Sequence, residues 1–285
     1  MTMVAQLRSS DPGRRELGSV SRRTKVTTRA YNPGGVDVRR TGIYRPAERK
    51  VKIDSSRLQV QRPYGSSVEA TEFLPFRVRV VKEPQDLAKV VEIRSTAYSR
   101  HVPEVGAALR VAEPDDFRSD VLSILAERKA DGRPLGSVRV QSNLTQPLRI
   151  EGEAQLPSSY RGLRLVEFMR LGVENGDPSR MVFSALVKAG FEICHAAGFD
   201  FIFAAGRRSV AAIYRSMAFD DLLEGRMVAL SYANRLPHGI FSIPVAEVDR
   251  RLPSRNPGLY RFMARTHHPD IAIDYDAVFA SFGRQ

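Results

Sequence analysis

The sequence predicts an α/β domain with helices on both faces of a central mixed sheet. Three observations carry this. Phe199 to Ala205 is short and continuously apolar, as in a strand covered on both faces. It follows a longer stretch, Met181 to Ala197, in which Val182, Leu186, Ala189 and Ile193 recur at helical spacing. With the apolar strand before that helix, the order reads as a strand–helix–strand crossover with parallel pairing. Upstream, Val121 to Glu127 and Leu135 to Val140 flank a turn with an Asp131-Gly132 step, which reads as an antiparallel hairpin.

The chain has 285 residues, enough to bury a sizeable core. Its formal charge of +12 is uneven, because residues 1–75 hold fifteen Lys and Arg against seven Asp and Glu. Residues 1–72 are rich in Ser, Gly, Pro, Arg and Thr and lack sustained periodicity. They are expected to form a basic, largely disordered extension. Residues 73–245 are expected to form the folded domain, and 246–285 a C-terminal extension with short helices at Pro257 to Arg265 and Ala277 to Phe282. The basic balance permits an acidic protein, an anionic membrane surface or nucleic acid as partner. The extension lacks the interleaved aromatics of a single-strand binder, so nucleic acid is not expected. No apolar run is long enough for a membrane span, and no apolar segment follows the N-terminal arginines as in a secretory signal. The single cysteine, Cys194, rules out an internal disulfide, and a reducing, cytoplasmic compartment is expected. His267 and His268 point apart in regular structure and read as surface residues, so no metal is expected.

Order begins near Phe76. Phe76 to Lys82 alternates as a strand, and Glu83-Pro84 opens a helix with proline at an early position. Leu87, Val91, Arg94 and Tyr98 share one face of that helix; Arg94 either snorkels or points into a site. Residues 101–119 are irregular. On the returning hairpin strand, Ser137, Arg139 and Gln141 share one face and Val138 and Val140 the other. A strand over 163–173 follows, then a turn at Asn175 to Ser179 with Asp177 or Ser179 as helix cap. Gly198 ends the next helix. A second helix over Val210 to Met217 and strands over Met227 to Tyr232 and Ile240 to Val245 complete the domain.

Within the 163–173 strand, Glu167 and Arg170 interrupt an apolar run where a buried strand carries no charge without pairing or use. Being three apart, they fall on opposite faces of a regular strand. A shared site requires a β-bulge between them, expected around Phe168–Met169.

This element order resembles that of the GNAT acyltransferases. Val210-Ala211-Ala212-Ile213-Tyr214-Arg215-Ser216-Met217-Ala218-Phe219 looks like their closing-helix pattern, with Ala218 in place of a glycine. The resemblance makes Tyr214 a candidate general acid for the leaving thiolate; a tyrosine packed on the core is the alternative. Gly136-Ser137-Val138-Arg139-Val140, followed by Glu167-Phe168-Met169-Arg170-Leu171-Gly172-Val173, looks like the paired signature of acyl-homoserine-lactone autoinducer synthases and of the related N-acyl amino acid synthases of the FeeM type. The stretch Asp131 to Ser137 is closer to the latter, although Met169 replaces the usual serine. The autoinducer branch commonly keeps a tryptophan near its N-terminus; this chain has none. The resemblance covers roughly residues 76–235.

The resemblance implies transfer of a long-chain fatty acyl group from the phosphopantetheine thioester of an acyl carrier protein to the α-amine of an amino acid, with no tightly bound cofactor. Acyl-coenzyme A is the alternative donor, and an autoinducer synthase or an acetyl-coenzyme A-dependent GNAT enzyme the alternative activity. A non-catalytic binding protein of the same fold is a further alternative. Ordinary GNAT enzymes cradle pyrophosphate in a Gly-rich loop; here Glu174 to Arg180 has one glycine, two carboxylates and a proline without an N–H, a poor cradle. N-acylation needs a neutral amine, and Glu167 is the expected base, directly or through water. Arg170 and Arg139 hold the acceptor's carboxylate or fix Glu167; Arg94 is a third such arginine and Tyr98 lies beside it on the helix. Asp115, Asp116 and Asp120 sit where the autoinducer branch keeps acidic residues, with loose spacing, and a solvated loop is expected there.

Overall fold

A computed structural model describes residues 68–283, and its elements follow the hydrophobic patterning. β1 (Ala70–Thr71) and β2 (Phe76–Val80) precede α1 (Pro84–Ser99), with Pro84 in the first turn. α2 (Pro103–Ala108) and a 3-10 turn at Pro114–Phe117 occupy the irregular stretch. The hairpin is β3 (Val121–Arg128) and β4 (Pro134–Ser142). A short α3 (Arg149–Glu153) leads to β5 (Leu165–Val173), α4 (Ser179–Ala196) and β6 (Phe201–Gly206). Then come α5 (Ala211–Ser216), β7 (Asp220–Asp221), β8 (Val228–Leu230) and β9 (Leu236–Pro244). α6 (Val248–Arg255), α7 (Pro257–Tyr260), β10 (Thr266–His267), β11 (Ile271–Ala272) and α8 (Tyr275–Phe282) follow.

The main sheet is mixed, with strand order β11-β2-β3-β4-β5-β6-β9-β7, and β8 pairs with β9. β5 and β6 pair in parallel across the α4 crossover, while β2 to β5 form an antiparallel meander. α4 packs on one face, burying Val182, Leu186, Ala189 and Ile193, and α1 packs on the other. Two glycines allow these approaches. A Cβ on Gly136 would lie 2.8 Å from Val182 of α4, and one on Gly172 would lie 2.9 Å from Ala97 of α1. The close seat on Gly172 selects which face of α1 is inward. Val90, Ile93, Arg94 and Ala97 are buried, whereas Leu87, Val91 and Tyr98 of the expected stripe are half-buried.

Several boundaries differ from expectation for local reasons. α4 begins at Ser179 with Pro178 in the cap position, and neither Asp177 nor Ser179 caps it. The last long strand starts four residues early, at Leu236, and lies inside the sheet, with β6 on one side of it and β7 and β8 on the other. The expected basic extension lies outside the described residues up to residue 67. Residues 246–283, expected as an appended extension, return to the sheet. β10 pairs in parallel with β1, β11 pairs in parallel with β2, and Phe282 packs edge-on against Phe199. Lys188 of α4 donates to the carbonyls of Thr266 (2.6 Å) and Phe262 (3.3 Å). His268, expected at the surface, is buried beside Lys188, 3.0 Å away, and only His267 is exposed. Among the described residues no helix is long and apolar enough to cross a membrane.

Candidate active site

The site forms where the central sheet opens. β5 and β6 pair only from Leu165–Phe201 to Phe168–Ala204, and beyond that no register joins them. The splayed ends enclose a cleft of about 920 Å³, bounded by β5, the N-terminus of α4, the end of β6, α5 and the C-terminal end of α1. That volume is of the size that holds small-molecule substrates. A bulge lies at the same place. Arg139 pairs with Met169 but Ser137 with Gly172, so β5 carries one residue more than β4 there. The expected bulge is present, displaced from Phe168–Met169 to the residues after Met169, and the ladder is regular from Val166 to Met169. Arg170 takes φ 53, a left-handed conformation costly for a non-glycine residue. The result brings Glu167 and Arg170 to one side of the strand. The Tyr232 hydroxyl donates to Glu167 Oε1 at 3.0 Å, and Arg170 Nη2 donates to the Tyr232 carbonyl at 3.1 Å.

Glu167 is 1% exposed yet lines the cleft. Burial raises its pKa, and the Tyr232 hydroxyl, the Ile150 N–H (3.4 Å), Arg149 and Arg170 oppose this incompletely, leaving it at about 7. A carboxyl that is half-ionised at neutral pH suits a general base. Tyr232 is in turn pushed up by burial and by Glu167, so it stays a donor.

The three arginines converge on two carboxylates. Arg170 grips Glu113 through Nε (2.8 Å) and Nη2 (2.7 Å). Arg139 donates to Glu113 (2.8 Å) and Asp116 (2.6 and 3.0 Å), and Arg94 grips Asp116 through both terminal nitrogens (3.0 and 2.9 Å). Burial works against both anions, but the Arg170 hydrogen bond with the Arg139 and Arg94 charges holds Glu113 at about 2. Arg94 and Arg139 hold Asp116 at about 2 in the same way. The acidic run expected as a solvated loop therefore supplies the counter-ions of the cluster. Asp120 is likewise buried, paired with Arg118 at 2.9 Å and accepting from the Thr145 N–H. Arg94 and Arg139, expected as candidates to grip a substrate carboxylate, are fully buried and do not line the cleft. Both are committed to Glu113 and Asp116, which fixes Arg170 and, through Tyr232, Glu167. Arg170 lines the cleft, with its fork already occupied by Glu113.

Tyr214 and Tyr98 both line the cleft. Tyr214 donates to the Ala205 carbonyl at a long 3.4 Å, where β6 leaves β5, and stacks on Phe241 with centroids 4.8 Å apart. Burial, then Tyr98 and the Glu167 charge, push its phenol up. It is thus both a packed residue and a hydroxyl facing the site. Tyr232 and Glu113 were not singled out for the site, and Asp116 was named only within an acidic run expected to be solvated; Tyr232, expected to end a strand, lies in a 3-10 turn at Ser231–Ala233 just after β8. Arg100, Arg180 and Arg207 line the cleft, as do Glu174 and Asp177.

No family model matches the chain, and no curated protein matches it in sequence. Solved structures are similar to it in fold. FeeM, an N-acyl amino acid synthase from uncultured soil microbes, is 12% identical with a TM-score of 0.48, over 63% of this chain and 95% of that one. BjaI, a CoA-dependent acyl-homoserine lactone synthase with SAM and isopentyl-CoA, is 14% identical with a TM-score of 0.48, over 72% and 98%. An acyl-CoA N-acyltransferase from Pseudomonas aeruginosa is 14% identical with a TM-score of 0.42, over 59% and 98%. At this identity the likeness concerns the sheet and its helices, and the chemistry rests on the residues described above.

Proposed function

We propose that the protein is an N-acyltransferase that moves a long-chain acyl group from an acyl carrier protein thioester to the α-amine of an amino acid. The observation that carries this is Glu167, a buried carboxyl held at about 7 on the wall of a cleft formed by two splayed strands. The amine nitrogen attacks the thioester carbonyl, and Glu167 takes the proton it gives up. Main-chain N–H groups of β5 beyond the last paired residue stabilise the oxyanion. The C–S bond then breaks, and the Tyr214 hydroxyl hydrogen-bonds the departing thiolate, which leaves as the thiol with the transferred proton. Glu113, Asp116, Arg94 and Arg139 stand behind the cleft wall and position Arg170 and, through Tyr232, the base.

A carrier-protein donor is supported by the approach to α4. Glu174 and Asp177 flank a loop whose cap residue is Pro178, unsuited to a nucleotide pyrophosphate. Arg100, Arg180 and Arg207 along the cleft suit the single phosphodiester of a carrier-bound arm and an acidic protein surface. The test is expression of the full chain in a bacterial host, with lipid extraction and mass spectrometry. An N-acyl amino acid that is absent with Glu167→Ala supports the proposal. Unchanged lipids across a panel of supplied amino acids, with folded protein present, would overturn it. Acyl-coenzyme A and S-adenosylmethionine, offered to the purified protein, separate the alternative donor and acceptor.

A further inference from the structure

We infer that the Phe168 ring is the floor of the acyl-chain pocket and limits the length of chain accepted. This rests on the acyl-transfer reading above and adds which residue measures the substrate. Glu167 and Phe168 are consecutive in a regular stretch of β5, so their side chains leave opposite faces of the sheet. The gap between β5 and β6 opens directly after Phe168, the last β5 residue in register with β6. An amine reaching Glu167 from one face and an acyl chain descending to the other can therefore meet at the gap.

On the α4 face the cleft ends at Phe168, Leu171 and Tyr214. The same three side chains form the near wall of a second, small void of about 20 Å³, whose far wall is Val187, Phe191, Ala204, Met217 and Phe219. The void is apolar and about the size of one methyl group or one water. The Phe168 ring is held upright in this partition. It meets Phe191 edge-on at 6.1 Å, and a Cβ on Gly190 of α4 would lie 2.6 Å from its Cζ and 2.9 Å from its Cε2. Gly190 thus gives the ring room to lean towards α4, and the ring separates the cleft from the space behind it.

Shortening Phe168 joins the two spaces; adding a methyl at Gly190 drives the ring towards the cleft. The two changes are therefore expected to move chain-length preference in opposite directions. Phe168→Ala favours longer acyl chains, by about fourfold for each extra methylene that becomes buried, and Phe168→Leu shifts it less. Gly190→Ala favours shorter chains. The assay is a competition between two acyl carrier protein thioesters differing by two to four carbons in one tube, read as the product ratio by mass spectrometry. A ratio within one tube does not depend on the fraction folded, so a partly unfolded variant still reports. Opposite shifts in the two variants support the inference. A wild-type enzyme that acylates normally, with product ratios unmoved in Phe168→Ala, overturns the inference and leaves acyl transfer standing. A folded wild-type protein that transfers no acyl group from any thioester overturns both.

Discussion

Replacing Glu167 by glutamine separates two properties that the buried carboxyl combines. The first is stability. The fold raises the group from its ordinary 4.5 to about 7 because burial disfavours the charge. The folded state therefore binds this proton more tightly than the unfolded chain. The associated stability is fully present below pH 4.5, declines as pH rises and is lost above about 7, a difference of about 3 kcal/mol for this one group. Glutamine is neutral throughout and can still accept from the Tyr232 hydroxyl. The variant should thus gain stability relative to wild type between pH 5 and pH 8, approaching that amount. The second property is catalysis. Without a base at this point, acyl transfer should fall by about 10²–10⁴-fold. The acid limb of the wild-type rate, centred near 7, should disappear from the residual activity. Urea unfolding at both pH values, beside single-turnover thiol release across pH, tests the pair together. A variant with wild-type rate and acid limb, or with no relative gain in stability at pH 8, would refute the assignment of Glu167 as a buried, poised base.

Three further outcomes follow from the same geometry. Tyr232→Phe removes a hydrogen bond to the charged form of Glu167, so the acid limb should move to higher pH by about one unit; a limb that stays put counts against the contact. Asp116→Ala leaves Glu113 as the one carboxylate, among the described residues, hydrogen-bonded to the buried Arg94, Arg139 and Arg170, and should destabilise the fold by about 3–5 kcal/mol in urea titrations. Ala218, standing where the resembled pattern has glycine, takes φ 67 just past α5, and Ala218→Gly should stabilise the protein by about 1 kcal/mol, read as a higher thermal midpoint.

The parts of this protein that were legible in its sequence are those whose side chains repeat with a period. The α4 stripe, the hairpin and the apolar β6 run announce their partners because each buries a whole face. Glu167 and Arg170 were legible for the opposite reason, as two charges breaking such a run. Their spacing of three even required a bulge, although not its position, which depends on the Arg170 backbone and the grip of Glu113. The role of Glu113 and Asp116 was not legible, even though Asp116 belongs to an acidic run the sequence displays. They stand in a stretch without periodicity and acquire meaning only from arginines on α1, β4 and β5, which meet there in space. The C-terminal return was hidden similarly, since strands of two residues, such as β10 and β11, have no period to detect.

That return has a consequence for how the chain folds. The Leu74 N–H bonds to the Asp270 carboxylate across 196 residues of sequence, and β1–β10 and β11–β2 join equally remote segments. Closing so long a loop from an unstructured chain costs on the order of 5 kcal/mol in entropy before any contact rewards it. The β2–β3–β4 meander and the α4 crossover are assembled from much nearer neighbours. We therefore expect the antiparallel sheet and α4 to form first and residues 246–283 to dock afterwards, with burial of Lys188 and His268 as a late event. Until that docking the free edge of β2 can pair with another chain, and it is at this stage that the protein is most exposed to aggregation.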